Sequence, residues 1–179
     1  MTEETKKARI VKANHLLQAK VGSGPVDEKL IEKSQKLIEN AGVDFIPMAR
    51  EYIAQLEQSI AAAKEKDKND DAILQDMTTA VMQLKANAAM FDYALVGNLA
   101  NIMLNFLETI GTIDKDVLEI VSAHQKTLII VIGNGMKGDG GEFGKELSAE
   151  LKDACKRYFA KQASAGNLIE DKDAFFIDK

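Results

Sequence analysis

Residue types that mark several common classes of protein are scarce in this chain of 179 residues. The single cysteine, Cys155, excludes an internal disulfide, and the two histidines are too far apart to give a zinc-binding spacing. Only two prolines, Pro25 and Pro47, are present to interrupt long helices. The carboxylates of residues 67–71 lack the ordered positions of a calcium loop. No metal or other cofactor is therefore expected.

A long hydrophobic run is also missing. The longest uncharged, apolar-rich stretch covers residues 93–107, contains Asn98, Asn101 and Asn105, and is shorter than the roughly 20 residues that span a bilayer. The N-terminal segment 1–7, MTEETKK, is rich in charge and lacks the apolar core of a secretory signal. We therefore expect a cytoplasmic protein without a membrane partner.

Positive charge is not in excess. The chain has 23 lysine and arginine residues against 28 aspartate and glutamate residues, which gives a formal net charge of -5. Binding to a polynucleotide requires a clustered basic surface that neutralises phosphates, so no nucleic-acid partner is expected. Hydrophobic residues make up 46% of the chain, enough for one domain to bury a core of its own.

What the sequence does contain is helical periodicity over most of its length, with almost no strand signal. The pattern predicts an all-α fold. Six helices are expected. The first covers 27–40, the second begins at Asp44 and ends in the charged run 64–71, and the third begins at about residue 70 or 71. The other three cover about 93–109, 114–132 and 143–161. The glycine-rich segment 133–141 is predicted to be a turn between two helices.

These helices suggest an N-terminal arm (1–26), a helical domain (27–162) and a C-terminal tail (163–179). Apolar residues at steps of three and four mark the faces expected to be buried. The predicted core positions are Phe45, Met48, Tyr52, Leu56, Ile60 and Ala63; Leu74, Met77, Val81, Leu84 and Ala88; Ile102, Met103, Phe106 and Leu107; Val117, Val121, Leu128 and Val131; and Leu147, Leu151, Ala154 and Tyr158.

One methionine is expected to face outwards. A rotation of about 100° per residue places Met82 well away from the buried line of its helix, which passes through Val81, Leu84 and Ala88. A large apolar side chain that faces solvent beside alanines forms a smooth apolar patch, and such a patch suits the surface of a partner protein. The predicted docking face consists of Thr78, Met82, Gln83, Lys85, Ala86 and Ala89.

The segment 79–93, TAVMQLKANAAMFDY, resembles the motif of the histidine phosphotransfer (HPt) family, roughly His-x-[Leu/Ile]-Lys-Gly-x-[Gly/Ala]-[Gly/Ala]-x-Phe-Gly-Tyr. Lys85 matches the lysine three positions after the phospho-accepting histidine. Phe91 and Tyr93 match the two aromatic residues, and Met82 occupies the position of the histidine itself.

Three positions depart from the HPt pattern. Met82 replaces the histidine, while Ala86 and Asp92 replace glycines. Methionine is not a nucleophile, so a phosphohistidine cannot form at this position. Weaker similarity to a longer HPt-like subgroup extends over most of residues 11–145 and includes the glycine-rich turn.

The resemblance implies an antiparallel four-helix bundle of HPt type with additional N- and C-terminal helices. It also implies a two-component or phosphorelay signalling protein without catalytic residues, whose partner is a response-regulator receiver domain or a histidine kinase. Such a protein is a docking or regulatory partner rather than an enzyme, and it needs no cofactor of its own.

Two other functions stay open at this point. Phosphotransfer could use His124, although its alignment with Val117, Val121 and Leu128 favours a packing role with one hydrogen bond. His15 has no neighbouring acid or lysine pattern that would activate it. The chain could also be a structural or ligand-binding helical bundle unrelated to phosphorelay. Its oligomeric state is not indicated by the sequence.

Overall fold

The structure is a computed structural model that describes residues 27–40, 44–65 and 69–165. Within these ranges it contains six helices and no strand, which confirms the predicted all-α class. The helices are α1 (Glu28–Asn40), α2 (Phe45–Glu65), α3 (Asp70–Met90), α4 (Ala94–Thr109), α5 (Lys115–Gly133) and α6 (Gly141–Ser164). The predicted arm 1–26 and most of the predicted tail 163–179 lie outside the described residues.

Contacts between residues divide the chain into two compact units, Met1–Val43 and Asp44–Lys179. The first contains α1, and its predicted N-cap is confirmed because Asp27 Oδ1 accepts a hydrogen bond from the Lys29 N–H at 3.0 Å. The second contains α2 to α6. The domain boundaries expected after residues 26 and 162 stay predictions.

Polar residues cap the helices of the second unit where the sequence indicates helix starts. Asp44 Oδ1 accepts the Ile46 N–H at 3.0 Å, and Asp114 Oδ1 accepts the Val117 N–H at 2.8 Å. Pro47 lies in the first turn of α2, where its missing N–H removes no helical hydrogen bond. Because these signals are local, the predicted and observed helix starts agree closely.

Helices α2 to α5 contact one another in the pairs α2–α3, α3–α4, α4–α5 and α2–α5, and α6 contacts α4 and α5. Side-chain contacts give the directions of two of these pairs. Asn87, in the last turn of α3, donates to the Tyr52 hydroxyl in the first half of α2 at 3.3 Å. The Ile113 N–H, beyond the end of α4, donates to Asp70 at the start of α3 at 2.9 Å. The pairs α2–α3 and α3–α4 are therefore antiparallel.

The core positions predicted in α3, α4 and α5 are all buried. The predicted face of α2 is wrong in part, since Met48 and Tyr52 are only half-buried whereas Ala49 and Ile53 are buried. Because α2 contacts both α3 and α5, its buried face lies between these two neighbours. The Tyr52 hydroxyl stays at the boundary, where it meets the amide of Asn87.

The face of α6 also differs from the prediction. Of the core positions expected there, Leu147 and Ala154 are half-buried rather than buried. Phe106 of α4 packs against the rings of Tyr158 and Phe159, with centroids 5.4 and 5.6 Å away. This aromatic contact between distant parts of the chain sets how α6 lies on α4, so helical periodicity alone predicts its buried face only in part.

The glycine-rich turn between α5 and α6 is confirmed, and it lies against the turn between α3 and α4. The Gly138 N–H donates to the Asp92 C=O and the Leu95 N–H donates to the Gly138 C=O, both at 2.7 Å. The Lys137 ammonium lies 5.9 Å from the centroid of the Tyr93 ring. Two backbone hydrogen bonds of Gly138 therefore hold the α5–α6 turn against the turn between α3 and α4.

Candidate docking site around Met82

Met82 lies near the middle of α3 and points away from the core. Its neighbours along the chain, Val81 and Leu84, are buried, whereas Met82 itself is 50% exposed. The outward orientation expected from helical periodicity is therefore confirmed. A half-exposed methionine has apolar surface that a partner can remove from water, and its flexible thioether adapts to the shape of that partner.

A groove of about 670 Å³ runs between α3 and α4 beside this methionine, and we call it the Met82 groove. It is lined by Met82, Lys85, Ala86, Ala89, Asp92, Ala94, Gly97, Asn98 and Leu104. Most of these side chains are small or apolar, and the two ionisable groups, Lys85 and Asp92, have opposite charge.

Small residues of both helices line the groove. Ala86 and Ala89 contribute from α3, and Ala94 and Gly97 contribute from α4. A methyl group added at Gly97 would lie 3.8 Å from Cβ of Ala88, which is an ordinary contact distance. Glycine is therefore not required here for close packing, and its effect is to leave the groove open.

Lys85 is held across the groove by a residue of the opposite helix. Its ammonium donates to Asn101 Oδ1 at 2.7 Å, and its side chain is half-buried. Among the described residues no carboxylate forms an ion pair with this lysine. The amide oxygen orients the ammonium without neutralising it, so the hydrogen bond fixes the position of the charge in the groove.

Four of the six residues predicted to form the docking face line the groove together, namely Met82, Lys85, Ala86 and Ala89. Thr78 is half-buried and Gln83 is exposed, and neither lines it. Gln83 lies on the side of α3 nearer α2, because its carbonyl accepts a hydrogen bond from Asn87, which also reaches Tyr52.

The two aromatic residues of the motif pack at the end of the hairpin rather than in the groove. The rings of Phe91 and Tyr93 lie 5.9 and 4.5 Å from the ring of Phe45 at the start of α2. Between them, Asp92 adopts a left-handed backbone conformation with φ 61°, which is rare for a residue other than glycine. A non-glycine residue therefore holds a positive φ at the position where the HPt motif has glycine.

His124, the other candidate for phosphotransfer, is 1% exposed. Its Nδ1 lies 2.9 Å from the Ile120 C=O and must donate to it, which leaves Nε2 as the unprotonated nitrogen of a neutral ring. Burial lowers the pKa of His124 below its ordinary value of 6.5. These features favour the packing role, because a receiver aspartate has no direct access to a buried ring. His15 lies outside the described residues.

Cys155 of α6 lies beside this histidine, with 4.0 Å between Sγ and Nε2 of His124. Burial raises the pKa of the Cys155 thiol to about 12. A protonated thiol next to a neutral imidazole is not the thiolate and imidazolium pair of a cysteine nucleophile. The pair therefore connects α5 to α6 without supplying a reactive group.

The half of the groove that α4 contributes was not predicted from the sequence. Asn98 and Asn101 interrupt an otherwise apolar stretch at a spacing of three, which is a signal for one polar edge on a buried helix. If α4 is packed antiparallel to α3 after the short turn that joins them, this polar edge lies opposite Lys85.

Other kinds of site have less support. In the part of the chain that the structure describes, no three His, Cys, Asp or Glu side chains are grouped so as to hold a metal ion. No helix over the same residues has both the length and the apolar character needed to cross a membrane. Comparison of the chain with protein-family models, with curated proteins and with solved structures finds no match.

Proposed function

We propose that this chain is an HPt-like signalling protein that docks a receiver domain or a histidine kinase through the Met82 groove without accepting a phosphoryl group. In this role it competes for, sequesters or scaffolds its partner. The observation that carries the proposal is the 50% exposed Met82 in a groove with Lys85, at the position where the resembled family has its histidine.

The arrangement of helices supports an HPt-type bundle. The contacts α2–α3, α3–α4, α4–α5 and α2–α5 connect four helices in a closed ring, as expected for a four-helix bundle. In this interpretation α1 and α6 are the additional N- and C-terminal helices. The four motif residues that line the groove then lie on the outer side of the α3–α4 pair, where a partner has access to them, namely Met82, Lys85, Ala86 and Ala89.

The chemistry of the groove supports docking rather than transfer. A thioether has no proton to exchange and no basic nitrogen, so Met82 cannot form the phosphorus–nitrogen bond of a phosphohistidine. Burying the exposed half of the methionine contributes about 1 kcal/mol to binding, and the alanines beside it allow close approach. The pattern of an apolar centre with a polar rim is typical of transient protein interfaces.

The first test measures binding of the purified chain to the receiver domains and histidine kinases encoded in the same genome, by isothermal titration calorimetry. Met82→Asp places a charge in the groove and should weaken binding at least about tenfold, since an unpaired carboxylate would be buried. Met90→Asp is the matched control, because Met90 is 49% exposed on the same helix but does not line the groove.

The outcomes separate the alternatives. Equal effects of the two substitutions would mean that the partner does not bind at this groove. Absence of binding to every receiver and kinase would favour a structural or ligand-binding bundle instead.

A second test asks whether a phosphorylated receiver can reach position 82 in the groove. The natural chain should stay unlabelled when it is incubated with a radiolabelled receiver, whereas Met82→His should gain an acid-labile label. Acid-labile label on the natural chain that His124→Gln removes would show phosphotransfer through the other histidine and end the docking-only proposal.

A further inference from the structure

A second groove lies between the end of α2 and the first half of α5. Its volume is about 440 Å³, and we call it the lysine groove. It is lined by Lys64 of α2 and by six residues of α5 between Lys115 and Lys126. One of these, Leu118, is half-buried and packs against the core, so the groove has an apolar floor. None of its residues lines the Met82 groove.

Positive charge is in excess in the lysine groove, although the whole chain has a net charge of -5. Its charged side chains are three lysines and one glutamate. Glu119 pairs with Lys115 at 3.7 Å and so compensates one of the three. Lys64 and Lys126 are exposed, and among the described residues neither forms an ion pair with a carboxylate. Two lysines therefore remain to attract an acidic group.

The surface of α5 becomes apolar immediately beyond the lysine groove. Ile129 and Ile130 follow Lys126 by three and four positions, which places them one turn further along the same side of the helix. Their side chains are 45% and 60% exposed, and we call them the isoleucine pair. From the start of α5 towards its end, the surface therefore changes from the apolar floor at Leu118 to lysines and then to exposed isoleucines.

The sequence that follows α6 contains complementary groups in the same order. Residues 166–179, which lie outside the described residues and which we call the tail segment, read GNLIEDKDAFFIDK. Leu168 and Ile169 come first, the acidic run 170–173 comes next, and the apolar run 175–177 follows. With four acidic residues and two lysines, the segment has a formal net charge of -2. An apolar surface flanked by lysines suits such a segment, because its apolar side chains leave water there and its carboxylates meet opposite charge.

We propose that the tail segment folds back along α5 and occupies the lysine groove of its own chain. The apolar residues 168–169 then cover Leu118, and the acidic run lies beside Lys64 and Lys126. The apolar run 175–177 covers the isoleucine pair. This contact does not involve the Met82 groove, so the inference does not rest on the proposed function.

The position of the end of α6 makes this path short. Gln162, in the last turn of α6, donates to Asp114, the N-cap of α5, at 3.0 Å. The tail segment therefore begins near the Lys115 end of the lysine groove. From Lys115 to Ile130 α5 rises by about 22 Å, whereas 14 extended residues span up to about 46 Å. The segment is long enough to follow α5 in the direction that brings the complementary groups together.

The test uses the full chain with one fluorophore in the tail segment. The chain has no tryptophan, so the indole introduced by Phe176→Trp reports on this segment alone. Quenching by acrylamide measures its exposure, and a synthetic peptide of residues 166–179 with the same substitution gives the value for a solvated segment. The quenching constant should be at least about twofold lower in the chain than in the peptide, because an apolar contact excludes the quencher. Ile130→Asp and Lys126→Glu should each raise it towards the peptide value.

Two matched controls make the same kinds of change at exposed positions outside the lysine groove. Met90→Asp changes a residue of α3, and Lys156→Glu changes a residue of α6. Both variants should keep the low quenching constant of the natural groove. Far-ultraviolet circular dichroism shows whether each variant is folded.

The outcomes are distinct. An equal quenching constant in the chain and the peptide overturns the proposal, because the segment would then be solvated. Protection that persists in both groove variants also overturns it, since the segment would then pack elsewhere. Protection that falls on dilution of the chain means that the segment occupies the groove of a second copy, which again overturns folding back onto the same chain. Protection that is independent of concentration and is lost in both groove variants supports the proposal. None of these results depends on binding to a receiver or a kinase, so the two proposals fail separately.

Discussion

Met82 and Lys85 lie one turn apart on α3 and give the same groove two different properties. The thioether removes the nucleophile that phosphotransfer needs, while the ammonium keeps a charge that favours phosphate. Because Asn101 of α4 holds the ammonium at 2.7 Å, the position of this charge depends on the α3–α4 pair and not on α3 alone. Residue 82 therefore cannot accept a phosphoryl group, whereas Lys85 can still donate hydrogen bonds to an anionic group.

Asp92 is the second informative residue, because its φ of 61° lies in the region that glycine occupies most easily. We predict that Asp92→Gly raises the free energy of unfolding by up to about 1 kcal/mol, since relief of left-handed strain exceeds the added entropy of the unfolded chain. Its carbonyl, which accepts the Gly138 N–H at 2.7 Å, is unaffected by the change. Urea denaturation followed by circular dichroism measures the difference.

Ala54→Gly provides a control of opposite sign, because Ala54 is exposed in the interior of α2 with ordinary helical geometry. Glycine there should lower the free energy of unfolding by about 1 kcal/mol. If Asp92→Gly destabilised the protein as much as Ala54→Gly does, the backbone conformation at residue 92 would not be left-handed in solution.

At the scale of elements, the segment that leads from the α5–α6 turn into α6 contains two glycines without room for a side chain, Gly140 and Gly144. A methyl group at Gly144 would lie 2.1 Å from the Asp139 carbonyl oxygen, so the backbone of the turn would have to move. We predict that Gly144→Ala lowers the free energy of unfolding by about 2 kcal/mol, the range expected for overpacking against backbone. Thermal and urea denaturation both test this value.

Gly133→Ala is the matched control for the same substitution, because a methyl group at Gly133 meets no atom within 4 Å. Gly133 ends α5, and alanine there should leave stability unchanged or raise it slightly. A Gly144→Ala protein as stable as the Gly133→Ala protein would show that the turn can shift without loss, and that its contact with α3–α4 contributes little.

The elements that could be predicted from the sequence are those whose signals are local. Capping aspartates such as Asp44 and Asp114 are recognised from a few neighbouring residues, so the helix starts follow directly. The buried face of α2 was predicted less well. Met48 and Tyr52 are only half-buried, because α2 packs against two different helices, α3 and α5. The same holds for the groove. The periodicity of α3 alone predicts that Lys85 faces outwards, but the contact of Lys85 with Asn101 can be predicted only if the helix opposite α3 is known.

At the scale of the whole molecule, α6 is joined to α5 at two places, the start of α5 and its middle. Near one end, Gln162 and Tyr158 of α6 donate to Asp114 Oδ2 at 3.0 and 3.4 Å. Burial and the neighbouring Asp114 carboxylate raise the pKa of Tyr158 to about 12, so the hydroxyl stays protonated and keeps donating. Further along, the His124 ring faces Cys155 inside the core. The attachment of α6 therefore includes three titratable groups that are buried in their neutral forms, and of these His124 is the one whose ordinary pKa lies near neutral pH.

The buried imidazole makes the stability of the molecule depend on pH in one direction. Because the pKa of His124 is lowered from 6.5 in the folded chain, the unfolded chain binds more protons wherever the pH lies between the lowered value and 6.5. The contribution of neutral His124 to stability is complete above about pH 6.5 and is lost progressively as the pH falls through that window. We therefore predict that the free energy of unfolding decreases between pH 7.5 and pH 5.

His124→Gln isolates this contribution, because glutamine can still donate to the Ile120 C=O but has no proton to gain. Urea denaturation at pH 7.5 and pH 5 should show a smaller loss of stability in the variant than in the natural chain. His15 and the carboxylates are common to both proteins, so they cancel in the difference as long as they act independently of His124. An equal pH dependence of the two proteins would mean that residue 124 is accessible to protons without unfolding. The lowered pKa of His124 would then be contradicted, and the label test with His124→Gln would be the remaining evidence on transfer through this histidine.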